Sequence, residues 1–423
     1  MHDLLLVGGR VLTAEGMADV DVAVAGGRVV ALGRELGPAR EVLDCAGAWV
    51  GPGFVDVHTH AREPGGEWKE DLATVTAAAV AGGYTAILTM PNTDPPVDGA
   101  PTARYVLERG RAIGRCTVGV AGTVTLGRRG EALSHIDDLW DEGVRVFTDD
   151  GDVVADAEML RRALAYIGDR GGVVAQHAVD ATLARGAMHE GWVSARLGMR
   201  GIPAVAETTI VARDLLLVAD TPCRYHVQHV AAAGCIELIA RAKDRGLPVT
   251  AEVTPHHLTF DHTEVLAGTD PVFKMMPPLR TADDVTAVRE ALRSGIIDLV
   301  ATDHAPHADH EKDVPFEEAP NGVIGLEWAA AAVNSAVGLD PERFFDRMSI
   351  APARLAGFDE HGHRIAPGRP ANLVVFDPTA EWVPSGTMSR SRNSPYLGRR
   401  LVGRVRWTIV DGTIRHEGAA SRA

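Results

Sequence analysis

The sequence predicts an α/β chain: a (β/α)8 barrel of the TIM type, with a small β-sandwich domain built from the N- and C-terminal segments. Three observations carry that expectation. Strand-like and helix-like segments alternate from residue 53 to about residue 355, the pattern of parallel strands joined by helical crossovers. Short strands with Gly- and Pro-rich turns fill residues 1–52 and 356–423 on either side. Polar residues gather at the C-terminal ends of many strands, whereas a doubly wound sheet would collect its ligand groups at one switch point.

Residues 1–52 read as short strands at Leu4–Leu12, Val20–Val24, Arg28–Leu32 and Ala48-Trp-Val, punctuated by Gly26-Gly27 and Gly51-Pro52-Gly53. In 53–355 the expected strands are Phe54–His60, Thr85–Asn92, Thr117–Val124, Val144–Asp150, Gly172–His177, Arg224–Val230, Val249–His256 and Ile297–His304. Helical periodicity lies between them at Lys69–Ala81, Pro101–Ile113, Ala155–Ile167, Ala204–Ala219, Ile236–Arg245 and Ala282–Arg293, and more weakly near Glu131–Glu142. The uncharged stretch Leu72–Thr93 approaches membrane-spanning length, but Gly82-Gly83 splits it into helix, turn and strand. Strand texture returns at Asn372–Asp377, Val405–Asp411 and Thr413–His416.

Composition narrows the function. A net charge of −15 over 423 residues argues against a nucleic-acid or anionic-membrane partner. The four cysteines have no pairing or zinc-knuckle spacing, and Met1-His-Asp-Leu-Leu-Leu-Val lacks a basic n-region, so a cytoplasmic chain is expected.

The strand ends carry the chemistry. Alternation puts His58 and His60 on one face at the end of the first barrel strand. Asp150 ends the fourth, His177 the fifth, His229 the sixth and Asp303 the eighth. In a barrel these ends ring one mouth, so four histidines and two aspartates can meet around a divalent metal. His226 differs from His229 by three and is expected to be structural. Asp150 is preferred to Asp149 because it shares a face with Val144, Val146 and Thr148. His256-His257 are expected to play a structural or supporting part. The only lysines are Lys69, Lys243, Lys274 and Lys312, so no carbamylated lysine on the fourth strand can bridge two metals. If a protein group bridges them, it is Asp150.

Several of these segments resemble the bacterial class I dihydroorotases of the amidohydrolase superfamily. They are His58-Thr-His60-Ala-Arg62-Glu-Pro-Gly, Met90-Pro-Asn92-Thr-Asp-Pro-Pro, Phe147-Thr-Asp-Asp150-Gly, Thr254-Pro-His-His-Leu, Ala301-Thr-Asp303-His-Ala-Pro-His307 and the tail Ser389-Arg-Ser-Arg-Asn-Ser-Pro-Tyr396. The resemblance implies one or two zinc ions on the six ligands named above. It also implies a substrate carboxylate held by Arg62, Asn92 and His307, with His60 also touching substrate, and ring contacts from Asn321-Gly322 and the position of Met276. The implied reaction is reversible cyclisation of N-carbamoyl-L-aspartate to (S)-dihydroorotate in pyrimidine biosynthesis, with Asp303 moving the proton. The resemblance further implies a homodimer and makes aspartate carbamoyltransferase a candidate partner protein.

The sequence departs from that pattern twice. Met276 stands where the family usually has Asn, and Gln228-His229-Val-Ala-Ala-Ala-Gly234 lacks the usual hydroxyl residues after the histidine. Segment 305–322 reads as a loop over the mouth. Two rival readings remain: a hydantoinase or dihydropyrimidinase-like cyclic amidase, disfavoured by the missing lysine, and a non-catalytic scaffold, disfavoured by the complete ligand set.

Overall fold

The computed structural model describes residues 1–418. Seven short strands open the chain: β1 (His2–Val7), β2 (Arg10–Thr13), β3 (Gly16–Asp19), β4 (Asp21–Ala25), β5 (Arg28–Gly33), β6 (Ala39–Asp44) and β7 (Trp49–Pro52). The single strand expected over Leu4–Leu12 is two strands. The chain turns at Gly8-Gly9 and changes sheets: β1 lies between β4 and β6, while β2 pairs with β3 and β7. A Cβ on Gly9 would sit 2.7 Å from Val50 Cγ2, so only glycine lets the crossing close. Strands β3 and β6 were not legible: β3 is half-buried, β6 is mostly exposed, and neither carries a clean alternation.

The barrel strands follow: β8 (Phe54–Thr59), β9 (Tyr84–Thr89), β10 (Thr117–Val120), β11 (Val146–Phe147) and β12 (Val173–Gln176). After a small ribbon of β13 (Met188–His189) and β14 (Gly201–Ile202) come β15 (Arg224–Val227), β16 (Val249–Val253) and β17 (Leu299–Val300). They form two parallel runs, β10-β9-β8 and β11-β12-β15-β16-β17. Parallel bridges Gly122↔Phe147 and Thr59↔His304 join the runs at both ends and close the ring. All eight expected strands are present but shorter at their C-terminal ends, where the backbone leaves the ladder to build the mouth. The seventh stops at Val253, because Pro255 opens a one-turn helix capped by the Thr254 side chain.

Val55, Val57, Ala86, Leu88, Val146, Val173, Ala175, Leu299 and Ala301 fill the barrel interior. Helices α1 (Leu72–Ala81), α2 (Ala100–Ile113), α3 (Ile136–Asp141), α4 (Ala157–Gly168), α5 (Trp192–Leu197), α6 (Val205–Asp220), α7 (Ala233–Asp244), α8 (Pro255–Thr259) and α9 (Ala282–Ser294) lie along the chain between and beside the strands. Beyond the short α10 (Asp309–Lys312) lie three helices not expected from the sequence: α11 (Ala329–Val337), α12 (Pro341–Phe345) and α13 (Ala351–Ala356). Helix α13 plugs the closed end of the barrel with Ala353, Leu355 and Ala356. Arg224, the first residue of β15, donates to Arg354 O at 3.2 Å and holds it there.

Strands β18 (Leu373–Trp382), β19 (Leu401–Val410) and β20 (Thr413–Glu417) complete a six-stranded sheet, β20-β19-β18-β7-β2-β3. Its apolar face meets the four-stranded sheet β5-β4-β1-β6 through Leu4, Leu6, Val22, Val24, Val11, Val50, Leu373, Val375 and Ile409. Both termini of the chain therefore contribute to one sandwich.

Candidate active site

Phe54 packs outside the barrel and Val55 and Val57 inside, so strict alternation would turn His58 outward. The register against β9 slips between Asp56 and Thr59. This bulge re-aims the strand end, and His58 and His60 both reach the interior. The pair therefore converges through this bulge rather than through alternation alone. Asp150 follows the interior parity of Val146 and Thr148. Asp149 turns away and accepts the backbone N–H groups of Val124 and Thr125 at 2.8 and 3.0 Å.

All six expected ligands converge. Asp150 Oδ1 lies 3.2 Å from His58 Nε2, and Asp150 Oδ2 lies 3.3 Å from His60 Nε2. On its other side Asp150 Oδ1 lies 3.6 Å from His177 Nδ1 and 3.8 Å from His229 Nε2. Asp303 Oδ1 is 3.1 Å from His60 Nε2 and 3.6 Å from His58 Nε2. Two compact groups result, His58–His60–Asp150 and Asp150–His177–His229, each with ligand atoms within 4.8 Å of one another. Asp150 belongs to both.

This donor set fits a divalent metal. His58 Nε2 and Asp150 Oδ1 are buried with no hydrogen-bond partner, an arrangement normally avoided unless an ion is expected there. Burial pushes the His58 imidazole down, but Asp150, Glu252 and Asp303 outweigh it and raise it well above its ordinary value. Three carboxylates around one buried ring demand positive charge. Burial keeps His60 and His177 below the ordinary imidazole value, so they can offer lone pairs.

The supporting groups set ring orientation. His58 Nδ1 is 2.6 Å from Glu252 Oε1, and His60 Nδ1 is 2.9 Å from Asn92 Oδ1. Each acceptor assigns the proton to Nδ1 and frees Nε2 for the centre. Glu252 also meets His226 Nε2 at 2.9 Å and the His229 N–H at 3.2 Å. Burial pushes Glu252 up, but His58 and His226 overcome it and hold it at about 2, so it stays ionised. Sequence reasoning missed Glu252. Its only signal was one acid in the apolar run Val249-Thr-Ala-Glu-Val253. His226 stands outside both His/Asp groups and bonds also Thr250 Oγ1 at 2.8 Å. His257 bonds Thr254 Oγ1 at 2.8 Å and Pro277 O at 3.0 Å, which ties the segment carrying Met276 to the end of β16.

The Ala-rich turn after His229 has its own support. Glu207 on α6 accepts the N–H groups of Ala231 and Ala232, both at 3.1 Å, and Asp284 accepts that of Ala233 at 2.9 Å. Arg280 pairs with Glu207 at 2.6 Å, and both are buried. Carboxylates from α6 and α9 therefore serve the free N–H groups at the start of α7, which has no side-chain cap of its own.

A cavity of about 360 Å³ opens over the cluster. His60, Arg62, Asn92, Asp150, His177, His229, Met276, Asp303, His307, Asn321 and Gly322 all line it, so the expected ligands and contact residues share one space except His58, which lies beneath. Arg62 donates through Nε to Pro306 O at 3.1 Å, and burial pushes it down to about 10. Asn92 spends its oxygen on His60, which leaves its amide N–H groups for a ligand. His307 Nε2 lies 2.8 Å from Asn321 O, and its Nδ1 is buried without a partner. Burial and the nearby Arg62 push His307 down to about 2. Met276 packs beside the apolar patch Val179–Ile202–Ala206 and faces the cavity with Val153, Ala181 and Ala184.

Known proteins fit this geometry. A family model described as Dihydro-orotase-like matches residues 47–234. A dihydroorotase from Anaeromyxobacter dehalogenans is 44% identical over 100% of both chains, and one from Mycobacterium tuberculosis is 44% identical over 96% of each. The chain belongs to the dihydroorotase family. Its architecture also matches the L-hydantoinase (dihydropyrimidinase) of Arthrobacter aurescens at TM-score 0.87 and 25% identity, covering 100% of this chain and 98% of that one. The dihydropyrimidinase of Brevibacillus agri follows at TM-score 0.83 and 25% identity, with 98% and 95% covered. Within this dihydroorotase-family barrel no helix among the described residues is long and apolar enough to cross a membrane.

Proposed function

We propose that this chain is a dihydroorotase that interconverts (S)-dihydroorotate and N-carbamoyl-L-aspartate, with zinc held by His58, His60, Asp150, His177, His229 and Asp303. The observation that carries the reading is the sharing of one cavity by the His/Asp cluster and by Arg62, Asn92 and His307. The first set suits a divalent cation and the second suits a carboxylate, which dihydroorotate has and hydantoin lacks. Asp150, common to both ligand groups, is the bridging ligand if two ions bind. The 44% identity to dihydroorotases, against 25% to the L-hydantoinase over a similar length, supports this reading over the hydantoinase one, as does the absence of any lysine near the fourth strand. The same features favour the class I branch of the family.

A divalent cation at this cluster supplies acidification of water, whose pKa can fall from about 15.7 to about 7, and polarisation of a carbonyl. The chain's own groups do the rest. Arg62 offers a planar fork to the substrate carboxylate, and the Asn92 amide adds a donor beside it. Asp303 takes the proton of the attacking water and delivers it to the ring nitrogen as the ring C–N bond breaks. Cyclisation runs the same transfers backwards. Glu252 holds the His58 ring by its Nδ1 and so keeps its Nε2 turned to the centre.

The assembly that goes with this reading is a cytoplasmic homodimer, with aspartate carbamoyltransferase as the candidate partner protein. The deciding experiment assays purified protein with dihydroorotate and with hydantoin, beside elemental analysis. Turnover of dihydroorotate with bound zinc is expected. Turnover of hydantoin alone refutes the substrate, and an active protein without divalent metal refutes the centre. Asp303→Asn should abolish turnover while retaining most of the metal; a near-wild-type rate removes Asp303 from proton transfer.

A further inference from the structure

Strands β18 and β19 are antiparallel neighbours, paired from Leu373↔Ile409 to Trp382↔Leu401. Such a pair needs a turn of only about two to five residues. Here the connection is residues 383–400, and it leaves the sandwich altogether. Arg390 N donates to Glu70 Oε1 at 3.1 Å and Ser391 Oγ to Lys69 O at 2.7 Å, just ahead of α1. Tyr396 is buried against Phe260, with ring centroids 5.3 Å apart. The excursion ends up at the barrel mouth.

Its centre is Asn393, a buried residue whose side-chain oxygen and nitrogen and whose backbone carbonyl are all engaged there. Its Oδ1 accepts the His307 N–H at 3.1 Å. Its Nδ2 donates to Ala305 O at 3.0 Å and to Gly322 O at 3.1 Å. Its backbone O accepts the Ile324 N–H at 3.0 Å. One residue therefore fastens segment 305–307 to segment 322–324, its side chain on Ala305, His307 and Gly322 and its carbonyl on Ile324. The two are already pressed together: Gly322 has φ +133°, and a Cβ there would lie 2.7 Å from Ala305 Cβ. His307, Asn321 and Gly322 line the cavity, whereas none of the four Asn393 bonds touches a metal-ligand side chain.

We infer that the 383–400 excursion is a strap by which the sandwich fixes the substrate-binding side of the cavity, with Asn393 as its positioning residue. The strap rests on the dihydroorotase reading for its effect on kinetics, though not for its effect on order. It sets where His307 and Asn321 stand relative to Arg62 and leaves the metal cluster alone. Loss of Asn393 removes binding common to ground and transition states, so it raises KM rather than lowering kcat.

The test uses Asn393→Ala and the isosteric Asn393→Asp, which keeps the acceptor for His307 N–H but loses both donors and sets a carboxylate against two carbonyl oxygens. Asp therefore carries the experiment if Ala folds poorly. Metal content and kcat for dihydroorotate should stay near wild type, while KM rises tenfold or more in both. Hydrogen exchange of segments 305–307 and 321–324 should quicken, with α6 unchanged. A KM within twofold of wild type, or a fall in kcat at constant KM, overturns the inference. So does unchanged exchange, whatever the substrate proves to be. A wild-type protein that does not turn over dihydroorotate overturns the functional reading instead, and the exchange measurement still decides the strap.

Discussion

Glu252→Gln tests the electrostatics of the centre most directly. Glu252 accepts three bonds, from His58 Nδ1 at 2.6 Å, His226 Nε2 at 2.9 Å and the His229 N–H at 3.2 Å. A carboxamide keeps the shape but has one oxygen, so its NH2 must face one of the two rings. Facing His226 is the easier outcome, because that ring can move its proton to Nδ1, where Thr250 Oγ1 waits at 2.8 Å. His58 then keeps an acceptor but loses the charge on it. Charge-assisted hydrogen bonds are roughly twice as strong as neutral ones. Loss of such a supporting carboxylate typically weakens metal affinity or activity about 10- to 100-fold, or roughly 1.4–2.7 kcal/mol. The assay is metal content after dialysis against graded chelator, with kcat/KM measured alongside. The variant should release metal at roughly tenfold lower chelator or less, and the His58–His60–Asp150 group should empty first. A chelator midpoint within threefold of wild type, with unchanged kcat/KM, refutes the argument that Glu252 sets the basicity of His58.

Three further outcomes are expected. Arg62→Lys loses the Nε bond to Pro306 O and the planar fork, so KM for dihydroorotate should rise about tenfold, on the order of 1.4 kcal/mol; an unchanged KM removes Arg62 from carboxylate binding. Met276→Asn can restore one hydrogen bond, about 0.5–1.5 kcal/mol, and kcat/KM should gain a few-fold to about tenfold. A loss there, with a less polar cyclic amide preferred by the wild type, would show that the Val179–Ile202–Ala206 patch has reshaped the pocket for another ring. His361 is buried between Thr85 Oγ1 and Thr117 Oγ1, and burial, then His363, pushes it down to about 4. Its folded-state value is depressed, so the unfolded chain binds more protons between about pH 6.5 and 4, and stability is lost as pH falls through that window. His361→Gln should flatten the acid limb by up to roughly 3 kcal/mol; an identical pH profile of unfolding rules His361 out.

Much of this was legible in the sequence because barrel chemistry concentrates at strand ends. His58, His60, Asp150, His177, His229 and Asp303 each follow a readable strand, and the cavity gathers five of them around one opening, with His58 beneath it. The strands themselves were read too long, since residues such as Thr148 and Thr302 look strand-like but leave the ladder. What could not be read was whatever depends on distant pairing. Glu207 and Arg280, 73 positions apart, meet only through tertiary packing, and Asn393 reaches back 86 positions to His307. The Ala-rich turn after His229 looked unsupported because its partners lie on other helices. Helix α11 escaped because a mostly buried, Ala-rich helix shows no amphipathic period, and α12 and α13 because five or six residues are too few to show one.

The same division explains how the site holds its shape. Among the described residues seven non-glycine positions have positive φ, and three of them, Arg62 at 60°, His229 at 34° and Asp303 at 45°, line the cavity. Each sits just beyond a strand end, where the backbone must turn sharply to present its side chain. A non-glycine residue there costs about 1–3 kcal/mol and persists only where its surroundings over-determine it. Near each, a buried carboxylate anchors neighbouring backbone. Glu63 accepts the Leu72 N–H at 2.8 Å beside Arg62, and Glu207 takes two N–H groups beyond His229. Asp56 accepts the Thr302 N–H at 2.8 Å beside Asp303. These acids hold backbone rather than substrate, so they belong to the site as fully as the ligands do. The clustered histidines and aspartates suit the cavity to a cation, and the buried acids anchor the backbone beside the strained turns from which they reach it.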